Sequence, residues 1–513
     1  MDSHTQENNK RIAKNTVFLY IRMLLIMVVT LYTSRVVLAT LGVEDMGIYN
    51  VVGGVVTMFA FLNGTISGAT QRYLTYELGT GDIEKLKKVF NTAMCIHWSI
   101  AAIVLVLAET IGLWFVYYKL VIPVDRMTAA LWVYQFSIFS TIVFIISVPY
   151  NACIIAHEKM SAFAIISIVE VVLKLLVVYL LLLTKYDKLI VYAILIFTVQ
   201  LLIRVFYSIY CKCHFEESKY KLKLDKSLAK NMLGFTGWLL FGGLAGVGMG
   251  QGVNILLNLF FGPTVNAARA IASQVDNAVK GFVSNFQVAL NPQIIKNYAS
   301  KQMEQMHRLI FASSRYSYFL LFFLSLPVFL EADFILSIWL VEVPEHTVNF
   351  LRITMLVLLV NSLANPLITS ANATGNIKKY QIVVGTILLL IVPVAYIALK
   401  LGCNAEFVFW IYLLIAIVAQ TARICMIRPM IGLSIRRYAT EVVLKIIFVT
   451  IPSIILPCLC VLSLESGWLR FFLTTFISFL STLTFVYIIG IGSEERKIVK
   501  AKLRMAFKRI NRK

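Results

Sequence analysis

Fourteen stretches of this chain are candidates to cross a lipid bilayer, which leaves very few folds open to it. They run approximately over 16–39, 47–70, 91–116, 129–152, 163–184, 189–210, 234–260, 265–291, 309–330, 347–371, 381–400, 405–427, 441–463 and 468–491. Inside hydrocarbon no water satisfies backbone N–H and C=O groups, so each stretch is expected to be an α-helix. The expected class is an all-α integral membrane protein. Charged residues make up 14% of the 513 residues, against about 25% in soluble domains. The seventh and eighth stretches are the least apolar, being rich in Gly, Asn and Gln, which suits helices that line a wet cavity. The first apolar stretch, about Thr16 to Leu41, is too long for a cleaved signal and is interrupted by Arg22 and Arg35.

The net charge of +21 alternates with the spans. One set of loops holds Lys10, Arg11 and Lys14; Arg72, Lys85, Lys87 and Lys88; Lys159; the lysines from Lys212 to Lys230; Lys296, Lys301 and Arg308; Lys378 and Lys379; and Arg428, Arg436 and Arg437. The other set carries only Lys119, Arg126, Lys185, Lys188, Lys400 and Arg470. Cations collect on the cytoplasmic side of membrane proteins, so both termini are expected in the cytoplasm. The charge therefore records topology and implies no nucleic-acid partner; the basic tail 493–513 alone keeps a lipid-headgroup or nucleic-acid reading.

The two halves resemble each other at one constant offset along the chain. Leu41-Gly42 answers Phe261-Gly262, Gln71-Arg72 answers Asn291-Pro292 where those helices are expected to end, and 83–90 aligns with 303–310. Farther on the offset drifts slightly, and Pro123 answers Pro344 and Pro149 answers Pro366. Six helices separate equivalent positions, so both halves share one orientation, as in parallel transporter repeats. The expected organisation is an N-lobe over 1–211, a basic linker over 212–233, a C-lobe over 234–427, two added helices over 428–492, and the tail. Lobes of this kind would rock about a central cleft.

An ionisable group at the bilayer centre costs about 2.5–3.5 kcal/mol on insertion scales, so those present must face protein or water. Arg22 lies in the first helix, Glu170 and Lys174 one turn apart in the fifth, and Arg269, Asp276 and Lys280 in the eighth. Glu170 and Lys174 are expected to pair. Arg269, Ser273, Asp276, Lys280, Ser284, Gln287 and Asn291 recur at steps of three and four, marking one helix face that reads as a cavity wall or, alternatively, a polar glue between helices. The seventh helix adds Gln251, Asn254 and Asn258, with Gly242, Gly246 and Gly250 as a close-packing ladder. Arg204, Arg315 and Arg423 are expected to snorkel to the membrane surface. Arg22, Arg269 and Lys280, opposed mainly by Asp276, make the expected cavity cationic, which suits phosphate. No Gly-Lys dipeptide occurs, which excludes a Walker A loop, and no long loop offers an active site, so no enzyme is expected. Cys211, Cys213 and His214 cluster without a second ligand pair, and His97, His157, His307 and His346 are scattered, so neither a metal nor another cofactor is expected.

The stretch from Leu19 to Leu78, with Thr33-Ser34-Arg35, Leu41-Gly42, Gly47-Ile48-Tyr49-Asn50 and Gln71-Arg72, resembles the polysaccharide (O-antigen, Wzx-type) flippases. So do Pro149 through Lys159 and Ala373-Thr374-Gly375-Asn376. That family belongs to a larger group containing multidrug exporters and the lipid II flippase. The resemblance implies a V-shaped pair of six-helix lobes in the inner membrane, moving an undecaprenyl-pyrophosphate-linked oligosaccharide outward by alternating access. It implies membrane lipids and other polysaccharide-assembly proteins as partners, and a lipid-tail groove at helices thirteen and fourteen. In the lipid II flippase, arginines of the first and eighth helices face the substrate, so Arg22 and Arg269, with Lys280, are expected to hold pyrophosphate. Asn63, Gln251, Asn254, Asp276 and Gln287 would line the sugar site, and Asp276 and Glu109 are the candidate ion-coupling carboxylates. The rival readings are a cation-coupled multidrug antiporter on the same scaffold and a membrane-embedded glycan polymerase or ligase.

Overall fold

The computed structural model describes residues 3–57, 60–118, 122–219, 223–340, 343–492 and 496. Among them there is no strand, and nearly all are helical. Eleven helices are long and apolar enough to cross a membrane. We number the long helices α1 (Ser3–Thr57), α2 (Ala60–Thr80), α3 (Ile83–Tyr118), α4 (Val124–Ala156), α5 (Met160–Leu183), α6 (Lys188–His214), α7 (Lys226–Phe261), α8 (Pro263–Ala299), α9 (Met303–Leu330), α10 (Thr347–Thr374), α11 (Lys378–Lys400), α12 (Ala405–Ile431), α13 (Ile435–Ser463) and α14 (Trp468–Gly490). The eleven apolar ones are α3 to α7 and α9 to α14. The expected first and eighth spans lie in α1 and α8, and the expected second runs from the end of α1 into α2 across residues 58–59, which lie outside the described residues; α1, α2 and α8 are helical but not among the eleven.

An unbroken helix of 55 residues would be about 80 Å long, far beyond a hydrocarbon core of about 30 Å. Gly42 divides α1 by adopting φ +84°, ψ 170°, a conformation that a Cβ disfavours. The internal repeat is written in the same dihedral. Gly262, the counterpart of Gly42 in the second half, has φ +79°. At the same offset Gly81 (φ +78°) is answered by Lys301 (φ +60°), and at a slightly shorter one Glu158 (φ +59°) is answered by Gly375 (φ +78°). The ends expected at Gln71-Arg72 and Asn291-Pro292 are corrected: α2 continues to Thr80 and α8 passes through Pro292 to Ala299. Next, α3 begins at Ile83 and α9 at Met303, again matching positions of the repeat.

The chain forms two compact units, Met1–Leu240 with Ile295–Gln302, and Phe241–Ile294 with Met303–Lys513. In the first, α4 packs most extensively against α6 and also against α2 and α3, around a core containing Phe90, Tyr150, Cys153, Ile154 and Val199. The end of α8 belongs here for a visible reason. Lys296 Nζ reaches the buried Glu158 carboxylate at 2.7 Å, the Tyr298 ring lies tilted beside Tyr76, and Gly79 lets α2 close onto Ala299. A Cβ on Gly79 would lie 2.7 Å from that of Ala299 and 2.9 Å from the Lys296 backbone.

In the second unit, α10 packs on α12, and the hairpin α13–α14 packs on α9. That hairpin is fastened by a bidentate pair between Arg470 and Glu331, whose side chain is 0% exposed, and by stacking of Phe323 on Phe479. The glycine ladder of α7 is only partly as expected. Gly242 abuts Gln381 and Gly252 abuts Val392, whereas a Cβ on Gly246 or Gly250 would meet nothing within 4 Å. The close-packing face of α7 therefore follows Gly242, Gly248 and Gly252.

Two exceptions in the charge pattern now have a cause. Arg126 is clasped by Asp45 and Asp187, each at 2.6 Å, and Arg470 by Glu331, so neither leaves free charge at its end of the helices. In the second unit His346 and Glu406 likewise bind each other. Three snorkelling expectations are corrected. Arg315 and Arg423 are 5% and 6% exposed, and Arg204 lies 4.1 Å over the Tyr150 ring. Arg315 donates to the Glu441 carbonyl and Arg423 to Gln420, so polar groups inside the protein replace the expected water.

Candidate functional site

In the first unit two cavities of about 380 and 290 Å³ share Arg22, Ser167 and Glu170 in their walls. Helices α1, α5 and α6 line the larger one, with Thr30, Thr33, Lys174 and Tyr192 as further polar groups. The smaller adds Ser67, Asn151, Gln200 and Tyr207 from α2, α4 and α6. The i,i+4 spacing in α5 produces the expected ion pair, Lys174 Nζ to Glu170 Oε1 at 2.6 Å. Arg22 stands apart from that pair. Its guanidinium carbon lies 4.4 Å over the Phe163 ring, and its buried Nε has no hydrogen-bond partner. Two cations against one carboxylate leave these walls with one excess positive charge.

Glu109 occupies a π-helical turn, Ala108–Gly112, within α3. The turn is held by Tyr134, whose hydroxyl donates to the Ala108 carbonyl at 2.6 Å, while Gln135 donates to Glu109 at 3.2 Å. Asn63 lies in α2, but its side chain is outside the described residues.

The second unit holds the other expected site residues. Arg269 Nη2 donates to the Gly250 carbonyl at 2.9 Å, tying α8 to α7, and its buried Nη1 has no partner. One turn apart, Asp276 is half-buried and Lys280 exposed. Gln251 is exposed and Asn254 half-buried on α7. The polar stripe of α8 divides. From Arg269 to Ser284 its members are half-buried or exposed, whereas Gln287 is 6% exposed and donates to Ser317 and to the Ser362 carbonyl. Asn291 accepts from Thr369 at 3.1 Å. Gln287 is thereby corrected from sugar ligand to helix fastener: α9 and α10 cover that end of the stripe.

Sequence reading found Arg22, Glu170 and Lys174 because charge is conspicuous in an apolar run. It missed Asn151, Gln200, Ser167 and Tyr207, whose only signal is an uncharged polar group inside apolar sequence.

No family model and no curated protein matches the chain. Solved structures do. An outward-facing multidrug resistance MATE family transporter of the MOP superfamily superposes with TM-score 0.71 at 12% identity, over 83% of this chain and 96% of that one. The MATE transporter VcmN of Vibrio cholerae, in its bent form, gives 0.70 at 17% identity, over 86% and 100%. A MOP superfamily transporter of Pyrococcus furiosus, described as having a binding pocket of reverse polarity that suggests a different function, gives 0.67 at 12% identity, over 82% and 96%. The chain thus has the fold of the MATE transporters of the MOP superfamily.

Proposed function

We propose that this protein is an alternating-access membrane transporter whose cargo is an amphiphile with a phosphate-bearing head, such as an undecaprenyl-pyrophosphate-linked oligosaccharide moved between leaflets. The observation that carries the cargo class is Arg22. It lines a polar space of several hundred Å³, stacked on Phe163, while the wall carboxylate, Glu170, is already neutralised by Lys174. A guanidinium with an unpartnered N–H suits a phosphoryl oxygen. In the second unit Arg269, with its own unpartnered Nη1, and Lys280 are the further candidates for phosphate, and in the first Asn151, Gln200 and Ser67 offer hydrogen bonds to sugar hydroxyls. The apolar tail would stay in lipid, against surfaces such as α3, where Ile103, Val106 and Ile111 are each about 60% exposed.

A second reading, a cation-coupled multidrug antiporter, has its own support and lies closer to the solved structures, whose printed names include multidrug resistance transporters. Its carboxylates would be Glu109 and Asp276. That one MOP transporter is described as having reversed pocket polarity fits a scaffold whose cargo follows the charges lining it.

Purified protein in liposomes separates the two. A fluorescent polyprenyl-pyrophosphate saccharide should become accessible to an impermeant quencher in the opposite leaflet, and Arg22→Gln should abolish this. Proton- or sodium-driven accumulation of cationic dyes, with no lipid movement, would establish the antiporter instead.

A further inference from the structure

We infer that the first unit carries a binding site for a thiophilic divalent cation of the zinc class where α4 and α6 end. This inference does not rest on the transport reading. Cys153 and His157 are four residues apart at the end of α4, so both project from one face. Beyond α6 the chain turns through Glu216–Ser218 and returns Glu217 onto that face. His157 Nε2 lies 2.5 Å from Glu217 Oε1, and the Cys153 thiol donates to the same oxygen at 3.4 Å. One donor atom from each of the three lies within 4.8 Å of the others. Cys211 on α6 is buried nearby but gives its thiol proton to the Tyr150 carbonyl at 3.5 Å, so it stays outside the ligand set and leaves the fourth position to water.

The donor types select the ion. A sulfur, an imidazole and a carboxylate suit zinc or a similar borderline metal and disfavour magnesium and calcium. Bonds of about 2.0–2.3 Å to a tetrahedral ion put ligand atoms about 3.3–3.8 Å apart. The His157–Glu217 edge therefore has to open by only about 1 Å, a change within reach of side-chain rotation. The surroundings look built. The Phe215 ring lies flat on His157, centroids 4.0 Å apart, which fixes the imidazole plane. Glu217 is 5% exposed, and the nearby Lys87 pairs with Glu216 instead. His157 is partly exposed and gives an ion its way in. Cys213 and His214 are both exposed and Cys211 bonds the Tyr150 carbonyl, so the trio that sequence proximity groups together is not the cluster. On the orientation read from the charge pattern this end faces the cytoplasm, where thiols stay reduced. Binding would expel the thiol proton, so affinity would fall on acidification.

The test uses the full-length protein in detergent, stripped with a chelator and titrated with Co(II) and Zn(II) against a chromophoric chelator. One Co(II) per chain with thiolate-to-cobalt charge-transfer absorption, displaced by Zn(II), is the expected result. Cys153→Ser should abolish the band. His157→Gln, at a partly exposed position that tolerates change, should weaken binding beyond the roughly 10–100-fold typical of losing an outer hydrogen-bond partner of a ligand. Cys213→Ser should leave both signals intact. Absence of the band in the native chain, its persistence in both ligand variants, or its loss in Cys213→Ser would overturn the inference.

Discussion

Replacing Arg470 by Met strands a carboxylate. Glu331 is 0% exposed and held by three contacts of 2.9–3.3 Å from Arg470, itself 15% exposed. Removing one partner of a buried pair typically costs about 3–5 kcal/mol, because the remaining charge is left without water or counter-ion. The stranded carboxylate can instead take a proton, and that escape sets a ceiling. Neutralising a glutamate from its unfolded-chain state costs about 3.7 kcal/mol at pH 7 and about 1 kcal/mol at pH 5. Arg470→Met should therefore destabilise the second unit by about 3 kcal/mol at pH 7 and by about 1 kcal/mol at pH 5. Glu331→Gln with Arg470→Met should recover most of the loss, since no charge is then buried. Thermal and denaturant unfolding of the purified protein, followed by tryptophan emission at both pH values, measures each arm of the cycle. A loss at pH 7 below about 1 kcal/mol, a loss independent of pH, or strict additivity in the double variant would refute the reasoning.

Other regions give independent checks. Gly79→Ala drives a methyl into backbone and Cβ atoms of α8 that cannot rotate away, so it should destabilise by about 1–3 kcal/mol and loosen the end of α8; spin labels at exposed Thr80 and Ser300 should report a longer distance, and an unchanged one would contradict the packing. At Asp187, burial pushes the carboxyl up, but hydrogen bonds from Arg126 and from the Ile190 and Leu189 amides outweigh it and hold it below its ordinary 3.8. A depressed folded value means its stabilising contribution is complete above 3.8 and disappears only as pH falls through the lower folded value. Exchange protection of the Leu189 and Ile190 amides, corrected for intrinsic rates, should thus be equal at pH 7 and 5; a drop at pH 5 would count against the clasp. Finally, Glu170→Gln frees Lys174 and raises the excess positive charge of the cavities, so an anionic amphiphile should bind several-fold tighter, as read by fluorescence titration; weaker binding would favour a carboxylate-dependent cargo.

What could be read without coordinates was what neighbours along the chain decide. Helix positions follow from local hydropathy, the break at Gly42 from a residue type, and the Glu170–Lys174 pair from one turn of helix. The repeat was visible in residues 83–90 and 303–310, yet its firmest signs are conformational: Lys301 and Glu158 take left-handed backbone with no glycine to announce it. Periodicity put Gln287 and Lys280 on one face of α8 but carried no record of what covers that face. The same limit hid the Arg126 clasp and the Cys153, His157 and Glu217 cluster, whose members are brought together from segments far apart in sequence. The buried arginines failed for a related reason: an aromatic ring supplied from another helix can host a guanidinium where sequence alone suggests only water.

The route of the backbone has a mechanical corollary. The polypeptide leaves the first unit between Leu240 and Phe241, inside α7, and re-enters it between Ile294 and Ile295, inside α8. Both of these crossings lie within a helix, and a third, between Gln302 and Met303, lies in the turn before α9. Both helices are weakened near these points: α7 by Gly237 and Gly242, and α8 by Pro292, which lacks an amide hydrogen to bond the preceding turn. Bending strain in either helix would therefore concentrate at those residues, as in a rod notched at chosen points.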